Sequence, residues 1–164
     1  MVRVMATGVF DLLHPGHIYF LNEARKLGDE LVVVVARDST AKRFKHQPIT
    51  PEASRVEMVA ALKPVDRAVL GNEGDIFAIL DTIRPDLVAL GFDQVHDEAR
   101  VLDECRRRGL PTRVVRLPQF EGDLDGTRKI IRRVADYLAM QEKLGKVEGP
   151  KGEKPTGGRD SVAE

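Results

Sequence analysis

The chain has 164 residues, of which 42% are apolar and 32% are charged, and its 26 basic side chains balance its 26 acidic ones. This length predicts one domain with a buried core. Zero net charge gives no overall attraction to nucleic acid or acidic membranes, and no apolar run approaches the roughly 18 to 20 residues of a membrane span, so neither partner is expected. A single cysteine excludes a disulfide framework and indicates a reducing compartment, which predicts a cytoplasmic protein.

Apolar runs and helical periods alternate along the chain, which predicts an α/β domain with a parallel sheet. In chain order the prediction is strand 2–7, helix 16–27, strand 31–36, helix 50–62, strand 68–70, helix 75–83, strand 86–90, helix 97–108, strand 112–115 and helix 127–144. The β-branched run at 31–36 is typical of a central parallel strand, and Pro51 suits a first helical turn. We expect a Rossmann-like domain with strand order 3-2-1-4-5.

The last helix and the segment that follows it lead to two further predictions. Four residues of this helix share an apolar face that we expect to point inward: Ile130, Ile131, Val134 and Leu138. After residue 144 the composition changes to Gly, Pro, Lys and Glu, which cannot bury enough apolar surface to offset the entropy of ordering. The predicted organisation is therefore a domain over 1–144 and a disordered tail over 145–164.

The most informative motif joins the first strand to the first helix. His14 and His17 lie three residues apart across Pro15-Gly16, at the positive end of a predicted helix. Gly8 allows close backbone approach to a ligand, and Pro15 fits the first helical turn. This arrangement predicts a phosphate-binding site at the carboxyl edge of the sheet. Two alternatives stay open: a histidine pair that only stabilises the fold, and a metal site with Asp11, which lacks a further ligand of matching spacing.

The stretch G-V-F-D-L-L-H-P-G-H at 8–17 resembles the signature of the cytidylyltransferase-like nucleotidyltransferases. Four further stretches are similar to the archaeal FAD synthases within that superfamily: 27–31, 35–38, 61–66 and Gly91-Phe92-Asp93-Gln94. The similarity covers about residues 1–135. It implies transfer of AMP from ATP to FMN, giving FAD and pyrophosphate. A divalent cation is expected to accompany the triphosphate, and Mg²⁺ is the expected ion. The sequence shows no dedicated metal site.

The resemblance also implies roles for individual residues. His14 and His17 would bind the phosphates and stabilise the transition state, Asp93 would lie near the ribose or base, and Lys45 and Arg55 would contact phosphate. The predicted nucleotide-binding set is Gly8, Val9, Phe10, Asp11, Pro15, Gly16, Lys45, Arg55, Gly91, Asp93 and Thr127. Phe44 and Phe120 are candidates for contact with the flavin ring, and either could equally belong to the core.

The chain departs from the family pattern before the last helix. Many relatives carry an R-T-x-G-I-S-T-T-like element, whereas here Gln119 replaces the arginine and Gly126 the serine. Thr127 could offer a hydroxyl and amides to the triphosphate, or could simply cap the helix. Two rival functions follow: a cytidylyltransferase that uses CTP and a small phosphorylated alcohol such as glycerol 3-phosphate, and a non-catalytic nucleotide-binding module. A homodimer is possible.

Overall fold

The computed structural model describes residues 1–44, 46–94 and 96–147, with side chains up to residue 144. The described strands are β1 (Arg3–Gly8), β2 (Glu30–Val35), β3 (Arg67–Leu70), β4 (Leu87–Leu90) and β5 (Arg113–Arg116). The described helices are α1 (Pro15–Arg25), α2 (Asp38–Phe44), α3 (Glu52–Ala60), α4 (Ile79–Ile83), α5 (Glu98–Arg107) and α6 (Thr127–Val147).

The five strands form one parallel sheet in the order β3-β2-β1-β4-β5, which confirms the predicted topology. The chain moves outward from β1 through β2 to β3, and then returns to the other side of β1 to add β4 and β5. The strand order therefore reverses between β1 and β4. In open α/β sheets, ligands bind beyond the carboxyl ends of the strands at this reversal, and here β1 ends at Gly8.

Two apolar layers cover the sheet. Leu21 of α1 and Val59 of α3 pack with Val33 on one face, while Leu80 of α4 and Val101 of α5 belong to the cluster on the other. The side chains of β2 from Leu31 to Val35 are buried on both faces, as expected for a central parallel strand. Because the sheet is packed on both faces, the strands cannot slide along their own direction. The carboxyl end of each strand, and the loop that follows it, therefore has a fixed position.

Two helices differ from the sequence prediction. Helix α2 was not predicted, because five of its seven residues are polar and only the Ala41 side chain is buried. Helix α4 begins at Ile79 rather than near Asp75, because the Asp75 carboxylate and carbonyl accept hydrogen bonds from the amides of Phe77 and Ala78. That local turn competes with the helical hydrogen-bond pattern.

The chain divides into compact units at 1–130 and 131–164, and the first contains the whole sheet. In the second unit, α6 continues to Val147, so residues 145–147 of the predicted tail are helical, while 148–164 lie outside the described residues. The prediction that Ile131, Val134 and Leu138 face inward is wrong, since all three are exposed. A helical period identifies an apolar face but not whether a partner covers it. Within the described residues, every helix is too short or too polar to cross a bilayer.

Candidate active site

The two histidines of the motif lie together at the end of β1. His14 immediately precedes α1, and its ring stacks on that of His17 with centroids 3.7 Å apart and planes 24° from parallel. The His14 side chain is buried, and its Nδ1 has no hydrogen-bond partner among the described residues. A buried nitrogen in this state is costly unless a ligand or water supplies a partner. The predicted pair is thus formed, and it lines an open cleft.

The backbone amides at the start of α1 are only partly available to a ligand. The amide of His17 donates to the His14 carbonyl at 3.0 Å, so it is not available to a phosphate oxygen. Pro15 has no amide hydrogen. The Gly16 amide makes no backbone hydrogen bond to the residues that precede α1. The imidazole rings and the Gly16 amide are therefore donors that this turn can offer.

A tight turn between β1 and α1 supports the histidines. Phe10 is buried and adopts a positive φ of 52°, a conformation that a bulky residue rarely takes. Its ring lies over Gly8, where an added Cβ would approach Phe10 Cε2 to 2.7 Å. The same ring contacts His17, with centroids 5.2 Å apart. Because Gly8 has no side chain, the Phe10 ring can pack over it and also contact the His17 ring.

The Asp11 carboxylate is occupied by the backbone of another segment. One of its oxygens accepts from the Ile49 amide at 2.9 Å, and the other accepts from the Thr50 amide at 2.8 Å. Asp11 is buried. Its observed contacts fix the residues that precede α3 against the β1 turn, whereas the predicted contact with nucleotide stays a prediction.

Replacing Asp11 with asparagine should lower the free energy of unfolding by about 1–3 kcal/mol, because one of the two part-buried backbone amides that donate to the carboxylate loses its acceptor. Denaturant unfolding measures this change, and KM for the nucleotide measures any direct contact. Asp103→Asn, at an exposed residue whose ion pair with Arg106 spans 3.5 Å, is the matched control and should change stability by less than about 0.5 kcal/mol. Unchanged stability with a raised KM would show that Asp11 acts on the nucleotide instead.

The prediction that Arg55 binds phosphate is corrected by its position. Its side chain is fully buried and donates to the Thr50 carbonyl at 2.9 Å, to the Val9 carbonyl at 2.5 Å and to Asp38 Oδ1 at 2.6 Å. All three guanidinium nitrogens therefore have protein partners, and Arg55 fixes the Val9 carbonyl rather than a ligand. Lys45, the other predicted phosphate ligand of this segment, lies outside the described residues.

The loop after β4 brings further polar groups to the same cleft. Gly91 and Asp93 line it, and their contact with nucleotide stays a prediction. Two residues to which the sequence prediction assigned no role organise this loop. Gln94 donates a hydrogen bond from Nε2 to the Thr7 carbonyl, and Arg116 at the end of β5 donates to the Gly91 carbonyl at 2.8 Å. The G-F-D-Q motif suggested Gln94, but no local signal identifies Arg116.

The segment before α6 forms another wall of the cleft. Thr127 begins α6 and lines the cleft, consistent with either of its predicted roles. The backbone carbonyl of Asp125 comes close to the His14 turn, since a Cβ added at Gly16 would meet it at 3.1 Å. The carboxylate of Asp125 forms an ion pair with Lys129 at 2.7 Å. Lys129 and Arg128, which also line the cleft, are basic residues near the histidines that the sequence prediction did not assign.

Two cavities adjoin at the carboxyl edge of β1. The first, here called the histidine cleft, encloses about 1830 Å³ open to solvent and contains His14, His17, Asp93 and Thr127. The second, here called the apolar pocket, spans about 1020 Å³ that are partly open to solvent, and residues of β1, β4, α2 and α4 line it. Both cavities are bordered by Thr7, Gly8, Val9, Phe44 and Gln94. A ligand that crosses this border would therefore contact both.

Burial lowers the pKa of His14 below its usual range, and the nearby Asp125 and Asp93 carboxylates partly oppose the shift. His14 is therefore neutral at neutral pH and can donate from one ring nitrogen only. An anionic phosphate in the cleft would favour its protonated form.

The lowered pKa of His14 predicts a pH dependence of stability. The unfolded chain binds the proton more readily, so the free energy of unfolding should hold its full value above about pH 6.5 and fall as pH drops through that value. Denaturant unfolding between about pH 7.5 and 5.5 should show a smaller decrease for His14→Gln than for the unmodified protein. The other histidines are common to both proteins, so equal decreases would contradict the assignment.

The described residues contain no group of three or more His, Cys, Asp or Glu side chains arranged to hold a metal ion. The donors near His14 are the carboxylates of Asp93 and Asp125, which suit Mg²⁺ chemically. Mg²⁺ usually keeps several waters and binds through one or two carboxylates plus substrate phosphates. These two carboxylates are therefore chemically suited to an ion that is bound mainly by the nucleotide phosphates.

A parallel sheet with a histidine pair and a helix start at its reversal point defines a nucleotide-binding α/β domain. The family model described as Cytidylyltransferase-like matches residues 5–139. The chain belongs to this family.

Curated relatives match most of the chain. It is 61% identical to the FAD synthase of Aciduliprofundum boonei, over 84% of this chain and 93% of that protein. It is 55% identical to the FAD synthase of Archaeoglobus profundus, over 84% of this chain and 89% of the relative. These relatives agree with the branch that the G-F-D-Q and neighbouring motifs indicated.

Solved structures share the fold. The crystal structure of the lipopolysaccharide core biosynthesis protein from Thermoplasma volcanium is similar, with a TM-score of 0.72 and 50% identity over 74% of this chain and 99% of that one. Pantothenate synthetase from Thermus thermophilus has a TM-score of 0.53 at 19% identity, over 88% of this chain and 70% of that one, and shows likeness of fold alone.

Proposed function

We propose that this protein is an FMN adenylyltransferase, which transfers AMP from ATP to FMN and releases FAD and pyrophosphate. The observation that carries the proposal is the stacked His14–His17 pair at the end of β1, in a chain 61% identical to a curated FAD synthase. The family places the protein among nucleotidyltransferases. The high identity over nearly all of the relative supports the same choice of substrates.

The proposed reaction needs no general base. The FMN phosphate has a second pKa near 6, so at neutral pH it is largely dianionic and nucleophilic. One of its oxygens attacks the ATP α-phosphorus in line, a new P–O bond forms, and the bond to the β-phosphate oxygen breaks to release pyrophosphate. His14 and His17 would stabilise charge on the phosphoryl oxygens. Bound Mg²⁺ would neutralise triphosphate charge, with Asp93 as a carboxylate available to its shell and Asp125 as a second one once it exchanges its ion pair with Lys129.

We place the triphosphate in the histidine cleft and the flavin ring in the apolar pocket. The pocket walls include Val34, Ala41, Phe77 and Leu80, which offer the apolar surface that an isoalloxazine ring needs. Phe44 borders both cavities, which supports its predicted contact with flavin. Phe120 lines the histidine cleft and packs against Tyr19 with ring centroids 5.5 Å apart. We therefore assign it to anchoring the 118–129 segment and not to contact with the flavin ring.

A substrate panel tests the proposed function. ATP and CTP would each be combined with FMN and with glycerol 3-phosphate, and pyrophosphate release and FAD formation would be measured. We expect turnover with ATP and FMN. Turnover with CTP and glycerol 3-phosphate, but none with ATP and FMN, would overturn the proposal in favour of a cytidylyltransferase. Absence of pyrophosphate above background with every pair would indicate a non-catalytic nucleotide-binding module.

The proposal extends to assembly and location. The exposed side chains of Ile131, Val134 and Leu138 on α6 support a homodimer, since apolar surface of this kind favours a protein partner. Sedimentation of the full chain would test it. A cytoplasmic location, where ATP and FMN are available, agrees with the single cysteine.

A further inference from the structure

The loop after β4 is held in place by a residue of the neighbouring strand. Nη1 of Arg116 donates to the carbonyls of Gly91 at 2.8 Å and Gln94 at 3.3 Å, and Nη2 donates to the His96 carbonyl at 2.8 Å. Nε of Arg116 donates to Glu98 Oε1 at 2.8 Å. With a longer contact from Nη1 to the Phe92 carbonyl at 3.5 Å, one guanidinium donates to four carbonyls of this loop. These charge-assisted hydrogen bonds hold the backbone at Gln94 in place.

The side-chain amide of Gln94 has a defined orientation. Its Nε2 donates to the Thr7 carbonyl at the end of β1. Turning the amide over would bring two oxygens together, so the hydrogen bond also determines which end carries Oε1. That Oε1 is buried and has no hydrogen-bond partner among the described residues.

An unpaired buried acceptor costs about 1–3 kcal/mol, and native proteins leave few of them. Because its backbone and its side-chain amide are both held by hydrogen bonds, Gln94 cannot rotate or shift to bring Oε1 to another donor. The residue borders both the apolar pocket and the histidine cleft, next to the end of β1. The missing donor is therefore most simply supplied by a ligand at that border.

We propose that Gln94 determines specificity for the acceptor substrate, because its Oε1 accepts a hydrogen bond from the imide N3–H of the flavin ring. This inference rests on the proposed function. The isoalloxazine ring of FMN carries a single N–H group, at that imide edge. A ring in the apolar pocket with its phosphate directed to the histidines passes the border where Gln94 lies. The amide would thereby distinguish a flavin imide from a ring without this donor.

The first test uses the unmodified protein with ATP and either FMN or N3-methyl-FMN. Methylation removes the N–H donor and leaves Gln94 Oε1 unpaired. We expect kcat/KM to be about 10- to 100-fold higher for FMN than for N3-methyl-FMN. Quenching of flavin fluorescence, measured without ATP, should show the same preference in binding. No preference in either measurement would overturn the inference.

The second test separates loss of the hydrogen bond from crowding by the methyl group. In Gln94→Met, a variant of similar size without the acceptor, the preference for FMN over N3-methyl-FMN should approach one. If the unmodified protein's preference persists in Gln94→Met, crowding explains it and the inference is wrong. Gln141→Met, at an exposed residue of α6, is the matched control and should keep the preference.

A third arm uses N6-methyl-ATP to test adenine as the donor instead. If Gln94→Met abolishes discrimination between ATP and N6-methyl-ATP, Gln94 reads the nucleotide and the inference is overturned. Failure of the unmodified protein to make any FAD from ATP and FMN would contradict the proposed function itself. FAD formation with discrimination independent of Gln94 would contradict only the role of this residue.

Discussion

Replacing His17 with alanine should lower kcat by about 10²- to 10³-fold, as expected for loss of one donor that stabilises charge in the transition state. The ring stacks on His14 and contacts Phe10, but it is only partly buried, so the melting temperature should fall by a few degrees at most. Steady-state kinetics with ATP and FMN and a thermal melt measure the two effects separately.

The variant His17→Gln serves as the comparison for His17→Ala, because its amide retains an N–H donor. We expect it to recover part of the lost kcat. A different pattern would assign His17 to the fold: a large drop in melting temperature, with normal turnover per folded molecule in His17→Ala. In that case the phosphate-binding interpretation of this residue would be wrong.

Gly16→Ala should lower kcat/KM by about 10²-fold, although both histidine side chains are retained. A Cβ at Gly16 would lie 2.9 Å from His14 Nδ1 and 3.1 Å from the Asp125 carbonyl, so the His14 ring or the 118–129 segment must move. A displacement of about 1 Å at a reacting centre is sufficient for a loss of this size. Kinetics with ATP and FMN measure the loss.

Gly109→Ala is the control for Gly16→Ala, since both add one methyl group to a glycine. Gly109 follows α5 with a φ of 64°, and an added Cβ there meets no atom within 4 Å. The strained backbone should lower the free energy of unfolding by about 1 kcal/mol while leaving kcat/KM unchanged. If Gly16→Ala loses stability but keeps its activity, as the control does, the close approach to His14 is not required for turnover.

The sheet and the histidine pair could be predicted because their signals are local. The valine run of β2 and the H-P-G-H motif each identify their own structure within a few residues. The predictions that needed correction depend on tertiary contacts. Arg55 has the charge of a phosphate ligand, but burial against the Val9 carbonyl and Asp38 gives it a structural role. Sequence shows the charge and cannot show which partner it meets.

The groups around the histidines that sequence did not assign come from distant parts of the chain. Gln94 reaches the Thr7 carbonyl across 87 positions, and Arg116 reaches Gly91 across 25. The positive φ of Phe10 depends on a ring that packs over Gly8. Strand order brings these segments together, so their roles follow from the fold and not from local spacing.

The position of β2 has a consequence for hydrogen exchange. This strand lies between β1 and β3, and its side chains from Leu31 to Val35 are buried on both faces. Its amides should exchange with deuterium only when the whole sheet opens, so their rate reports the global free energy of unfolding. Amides near Gly16 and Thr127, at the edge of the cleft, should exchange by local opening and slow when nucleotide binds. Comparing the two sets in one exchange experiment would separate nucleotide binding from stability without any substitution.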